Sequence, residues 1–132
     1  MIHTIEIKIR GYHLDLFGHV NNARYLEFLE EARWDAFEKT VNLEELARRG
    51  WAFTVVNINI SYRRPALMND VICVQTQVTK WGRRSAVIRQ TVVLKGTDTV
   101  VADADVTFVI YDTNSQKTAV MEGELLDLLK AV

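Results

Sequence analysis

The spacing of apolar positions changes twice along this chain. Ile5, Ile7 and Ile9 alternate with Glu6, Lys8 and Arg10, the two-residue period of a half-buried strand over residues 3–10. After a loop from Gly11 to Asn21 the period lengthens. Tyr25, Leu26, Phe28, Leu29, Ala32, Ala36 and Phe37 recur at steps of three and four, and Glu27, Glu30, Glu31, Asp35 and Glu38 mostly fall between them. The pattern predicts one amphipathic helix from Ala23 to the region of Lys39 to Val41, roughly 25 Å long at about 1.5 Å per residue. Asn21 or Asn22 suits its N-cap, because a side-chain oxygen there can accept an N–H that the first turn leaves unpaired. Asn42 and Glu45 form an Asn-x-x-Glu start like a capping box. Leu43, Leu46 and Ala47 then suggest a short helix, stopped by Gly50.

From Ala52 onward the character is β-branched and the period returns to two. Ala52 to Arg64 reads as a strand with Asn57, Asn59 and Ser61 on one face and Ile58, Ile60 and Tyr62 on the other; Pro65, which cannot donate to a ladder, ends it. Val71 to Trp81, Ser85 to Lys95 and Thr99 to Tyr111 follow, separated by turns at Gly82 to Arg84 and Gly96 to Asp98. Lys117 to Met121 is a sixth short strand, and Glu122 to Leu129 a terminal helical turn or two. The expected order is strand, long helix, short helix, then a meander of antiparallel strands. That is an α+β arrangement, in which the long helix is the one element large enough to cover a face of the sheet.

Composition changes this picture little. The 132 residues, 48% hydrophobic and 25% charged, suit one ordinary domain. Sixteen basic against seventeen acidic residues give a net charge of −1, which offers no global attraction for nucleic acid or an anionic membrane. The single cysteine, Cys73, excludes an intramolecular disulfide and fits a reducing compartment. It lies in a strand-like run with no histidine close in sequence, and reads as a small packing residue rather than a nucleophile. No apolar run approaches the ~18 residues of a membrane span and the start carries no signal-peptide pattern, so the expectation is cytoplasmic, with no membrane insertion. A Cys/His cluster, His-Glu-x-x-His and a Gly-rich phosphate loop are all missing, so neither a metal nor a nucleotide cofactor is indicated, and the lack of Gly-x-Ser-x-Gly argues against an α/β-hydrolase.

Candidate chemistry collects just before the long helix, where Asp15, His19, Asn21 and Asn22 lie within eight residues. First-turn N–H groups carry partial positive charge and would stabilise a carbonyl oxygen as it becomes an oxyanion. Asp15 is near enough in sequence to act beside that oxygen, and its bland alternative is an Asx-turn ahead of the helix. Carboxylate beside donor is minimum equipment for acyl transfer.

The run Asp15-x-x-Gly18-x-Val20, with Tyr25 ten residues after the aspartate, resembles the signature of the 4-hydroxybenzoyl-CoA thioesterase-type hotdog family. The fuller string GYHLD…HVNNARYLEFLEEARWD, with VVNINISYRRPA and VVADADVTFVIYD, is similar to its bacterial long-chain acyl-CoA thioesterase branch over essentially the whole chain. The resemblance implies a hotdog fold, an antiparallel sheet wrapped around one long helix. It also implies hydrolysis of fatty acyl-CoA without a cofactor, by a homodimer or homotetramer with active sites between subunits. Asp15 would be general base or nucleophile, and the Asn22 backbone N–H would meet the thioester oxygen while its side chain could still serve as a plain N-cap.

His19 matches a functional histidine of plant acyl-carrier-protein thioesterases, which the Asp-x-x-x-His-Val-Asn-Asn string also resembles. Phe17 departs from the asparagine expected there, and Pro65 and Ala66 replace an acidic residue and a cysteine, so the plant mechanism is not carried over whole. Tyr25 reads as a packing residue with its hydroxyl near the site. Glu30 and Glu31 read as a solvated or interface face, and His3 and His13 receive no role. Arg63, Arg64, Arg83, Arg84 and Ser85, with Lys80, are candidates for the phosphates of coenzyme A, since guanidinium donors suit phosphate; ordinary turn charge is the alternative. Rival readings are an acyl-acyl carrier protein thioesterase and a non-catalytic acyl-CoA-binding module. A hydratase is disfavoured, since such enzymes place histidine five positions after the aspartate.

Overall fold

A computed structural model covers residues Met1–Val132. The first strand, β1, spans His3–Lys8. A single 3-10 turn at Gly11–His13 leads through a loop into α1, Asn22–Thr40, and the short α2, Leu43–Arg48. Four long strands follow: β2 Trp51–Tyr62, β3 Val71–Trp81, β4 Ala86–Leu94 and β5 Val100–Asp112. The two-residue β6, Lys117–Thr118, and α3, Gly123–Leu129, complete the chain.

All strands join one antiparallel sheet in the order β1-β3-β4-β5-β2, with β6 on β5. The expected meander therefore holds for β3, β4 and β5 but fails for β2. The segment 63–70 is too long for a tight hairpin and contains Pro65. It crosses beside the start of α1, where Ala66 accepts from Val20 N–H at 3.0 Å. This crossover puts β2 at the edge beyond β5. The expected sixth strand is also shorter. Because β4 begins at Ala86, opposite Phe108, the last residues of β5 lack a neighbour on that side, and β6 fills the gap at Tyr111 and Asp112 before the chain turns away.

Strict alternation makes the inner face. Ile72 and Val74 of β3, Ile88 and Val92 of β4, and Ala104, Val106, Phe108 and Ile110 of β5 are fully buried. Each large apolar side chain so placed contributes roughly 1.5–3 kcal/mol. Helix α1 lies on this face through Tyr25, Phe28, Leu29, Ala32, Ala36 and Phe37, and the curled sheet around it is the hotdog arrangement. Two positions depart from the apolar pattern. Leu26 stays on the exposed side, while Arg33 is buried and donates from Nη1 to Gln90 Oε1 at 3.1 Å. Gln90 in turn donates to the Leu29 carbonyl and to Thr76 Oγ1, so the one buried polar side chain of β4 meets polar partners.

The phase of β2 slips at a bulge between Val55 and Asn57. Phe53 and Val55 pack against the core before it, Ile58 and Ile60 after it, so the inward positions change parity at the bulge. At α2, Asn42 Oδ1 accepts from Glu45 N–H as expected. The reciprocal half of the capping box is not made, because the Glu45 carboxylate is held by Arg48 and Arg49. No helix is long and apolar enough to cross a membrane.

Candidate active site

The loop before α1 folds back on itself through backbone pairing. Leu14 bridges Val20, His19 bridges Leu67, and Asn21 N–H donates to the His13 carbonyl at 2.9 Å. Asp15 sits at the turn of this small hairpin. Its N–H donates to the His19 carbonyl at 2.8 Å, and its carbonyl accepts from Gly18 N–H at 3.1 Å. Gly18 has φ +77°, a conformation that glycine adopts without a Cβ penalty.

The Asp15 carboxylate does two things with two oxygens. Oδ1 accepts from Phe17 N–H at 2.8 Å and from His19 N–H at 3.3 Å, which is the Asx-turn. Oδ2 has no hydrogen-bond partner in the chain, and the residue is exposed. The bland role and the chemical role are thus compatible, because they use different atoms.

At the helix start, the cap is Asn21, whose Oδ1 accepts from Ala23 N–H at 2.9 Å. Asn22 is therefore the first helical residue and not the N-cap. Its own N–H has no acceptor in the chain, one of the unpaired donors every helix start presents. The loop and this free donor lie side by side in the fold, joined by the Leu14 to Val20 and His13 to Asn21 contacts.

Tyr25 is buried at the first turn, edge-on to Phe28, and its hydroxyl accepts from Ala66 N–H at 3.3 Å. Burial pushes the phenol above its usual value, so it stays protonated at neutral pH. Tyr25 is thus an anchor for the 63–70 crossover. His19 is exposed and joins the site through its backbone; its ring has no hydrogen-bond partner in the chain.

The basic candidates separate. Arg63 and Arg64 lie at the same end of the sheet as Asp15, both donating backbone N–H to the Val101 carbonyl. The Arg63 guanidinium is already forked onto Asp103, at 3.0 and 3.3 Å, an ion pair that holds the Asp103 carboxyl below its usual range. Arg64 is free of such a partner and exposed. Arg83, Arg84 and Ser85 lie at the opposite end, with Arg84 on the Thr118 carbonyl beside Tyr111. The ten residue steps along β5 from Val101 to Tyr111 span roughly 30 Å at about 3.3 Å each, so these three are not gathered to Asp15 within one chain. Cys73 is half-buried and burial pushes its thiol up, as suits a packing residue.

Three residues that position the site were not singled out from the sequence for that role. His13 is buried; its Nδ1 accepts from Arg10 N–H at 2.8 Å, and its ring meets Phe28 edge-on at 5.0 Å. Desolvation and the nearby Arg24 hold its pKa below 6.5. Arg24 donates to the Tyr12 carbonyl at 3.2 Å, and Tyr62 donates to the Asn22 carbonyl at 3.1 Å. These are side-chain-to-backbone bonds across loops, and nothing in local spacing announces them.

Comparison with known proteins gives one answer throughout. The family model described as the thioesterase-like superfamily matches residues 9–129. The chain is 48% identical over 125 residues to the long-chain acyl-CoA thioesterase FadM of Escherichia coli K12, covering 95% of each protein. It is 32% identical over 78 residues to the chloroplastic acyl-acyl carrier protein thioesterase ATL3 of Arabidopsis thaliana, covering 58% of this chain and 41% of that protein. Among solved structures, the probable thioesterase YbaW of Escherichia coli superposes with a TM-score of 0.93 at 46% identity, covering 98% of this chain and 97% of that one.

Proposed function

The chain belongs to the thioesterase-like superfamily, and from that premise we propose that it hydrolyses fatty acyl-CoA, long chains preferred, to free fatty acid and CoA. The observation that carries the reading is the pairing of a carboxylate oxygen left free at Asp15 with an N–H left free at Asn22. The thioester oxygen accepts from Asn22 N–H. Asp15 Oδ2 activates a water toward the carbonyl carbon, or attacks it directly to give an anhydride that water then opens. The departing thiolate comes from a thiol of pKa near about 8.5 and leaves without strong acid help. His19 and Tyr25 border the site. Arg64 and Arg63 stand nearest among the basic candidates for the CoA phosphates, with Arg83, Arg84 and Ser85 available only from a second copy.

The similarity to the FadM thioesterase supports the long-chain preference. A homodimer or homotetramer with active sites between subunits is supported by the side chains around Asp15. Leu16 is 93% exposed and Phe17 78% exposed, apolar area that a single chain leaves bare next to its own site. A cytoplasmic location belongs to the same reading. The similarity to the plant protein favours one second reading, an acyl carrier protein in place of CoA.

Thiol release from acyl-CoAs of graded chain length, for wild type and Asp15→Asn side by side, tests the proposal. The expected result is a long-chain optimum and at least a hundredfold loss of kcat in the mutant, about 2.7 kcal/mol of barrier. Release from the acyl carrier protein thioester alone selects the second reading. Tight binding without any release makes the chain a binding module. Unchanged turnover in Asp15→Asn overturns the site and turns attention to His19, Glu30 and Glu31.

A further inference from the structure

We propose that Arg33 reads an oxygen atom carried on the distal half of the acyl chain, so that hydroxylated long chains are preferred over plain ones. The inference rests on the thioesterase reading above and concerns where the chain lies. A groove of about 430 Å³ opens between α1, α2 and β2, walled by Phe37, Leu46, Phe53 and Ile58 and bordered by Glu30 and Arg33, within the ordinary range for ligand pockets. Strand β2 runs antiparallel alongside α1. Tyr62 is bonded to Asn22 at one end, and Phe53 meets Phe37 at 4.9 Å at the other. Asn22, Leu26, Arg33 and Phe37 fall on one side of α1 at steps of four and seven. An acyl chain whose carbonyl sits at Asn22 N–H is thereby aimed along this side into the groove.

Arg33 is the anomaly in that wall. It is 8% exposed, makes one hydrogen bond, to the neutral amide of Gln90, and has no carboxylate within 4.0 Å. Glu30, one turn earlier, accepts from Trp34 Nε1 at 3.2 Å, and its charge favours the Arg33 cation without making a contact ion pair. Of the sealed side-chain nitrogens and oxygens in the protein, only His3 Nε2 has no partner, so the unbonded guanidinium nitrogens of Arg33 keep an opening, and the groove is what they border. Once a hydrocarbon chain fills the groove, those nitrogens become donors of a buried cation short of acceptors, which is costly, and an aliphatic residue would serve a plain hydrocarbon better. An oxygen on the ligand supplies the missing acceptor. Eleven steps of helical rise separate Asn22 from Arg33, roughly 16 Å, and an extended alkyl chain built from ~1.5 Å bonds covers that in about a dozen carbons.

The test compares kcat/KM for octadecanoyl-CoA, 3-hydroxyoctadecanoyl-CoA and 12-hydroxyoctadecanoyl-CoA. Wild type is expected to favour the 12-hydroxy chain over the plain one by about tenfold, the scale of one charge-assisted hydrogen bond, with no gain for the 3-hydroxy chain. Arg33→Met should reverse the order. Equal rates in wild type overturn the proposal without any variant, and so does a 12-hydroxy preference that survives Arg33→Met. If no thioester releases thiol, the thioesterase reading is what fails. Calorimetric titration with the free 12-hydroxy and plain acids then decides Arg33, tighter binding of the hydroxy acid supporting its role and equal affinity overturning it.

Discussion

Toward its C-terminal end α1 sets Phe37 against Phe53 and edge-on to Phe108, whose rings stack on each other, in a core that includes Val106 and Ile110. At its start the same helix is held differently. Asp15 bonds two backbone N–H groups, Asn21 caps Ala23, Tyr25 takes Ala66 N–H, and His13 takes Arg10 N–H. The first end is stabilised by area removed from water, which is large and tolerant of small shifts. The second is stabilised by directional bonds that each contribute about 1 kcal/mol yet fix atoms to a few tenths of an ångström. The difference accounts for where chemistry can sit: an exposed loop has little burial to order it, so the carboxylate that would react also ties its own turn.

Substitutions at three positions probe that contrast from its strongest side to its weakest. Phe108→Ala empties the middle of the ring stack and should cost about 3–5 kcal/mol in urea unfolding, since a buried cavity relaxes only partly. Tyr25→Phe keeps the ring but leaves Ala66 N–H without its acceptor, an expected loss of about 1–2 kcal/mol. Equal stability of the two tyrosine forms would mean that water replaces the hydroxyl and that the crossover is held by packing. Asp15→Ala removes the turn bonds and should lower stability by about 1 kcal/mol, whereas Asp15→Asn retains an Oδ1 acceptor and should melt close to wild type. With that pair, the loss of activity in Asp15→Asn is read as chemistry rather than as a collapsed loop.

The contrast also explains which parts were legible in the sequence. The spans of β1, β3, β4 and β5 follow from two-residue alternation, and α1 from its three- and four-residue steps, because burial imposes periodicity. Leu26 was misplaced by the same logic, and the burial of Arg33 went unforeseen, since hydrophobicity alone does not tell which residues of a helix turn away from the sheet and which are enclosed. The partner of β2 was invisible because strand pairing is non-local, and the crossover is fixed by Ala66 meeting Val20 and Tyr25. Asp15 and the helix start were singled out as candidates by their place ahead of the long helix and by a spacing that resembles a family signature. Arg24 and Tyr62 reach backbone atoms distant in sequence, and His13 accepts from Arg10 N–H inside an irregular turn, so none of these bonds follows a periodic pattern.

The smallest effect concerns His13 and is a matter of pH. Its ring must be neutral to accept from Arg10 N–H, because a protonated imidazole donates from both nitrogens. Burial and Arg24 hold its folded pKa below the unfolded value of about 6.5. Above that value the ring is neutral in both states and contributes no slope. As pH falls through 6.5 toward the lower folded pKa, the unfolded chain binds more protons than the native one, so stability declines across that window. Below the folded pKa both states are protonated and the slope ends. His13→Asn keeps an acceptor for Arg10 and removes the titration, so the stability of wild type relative to this variant should fall between pH 7.5 and 5.5. A difference that stays flat over that range would mean the ring exchanges its proton without opening the loop, and the polar end of α1 would then be held by Asp15, Asn21 and Tyr25.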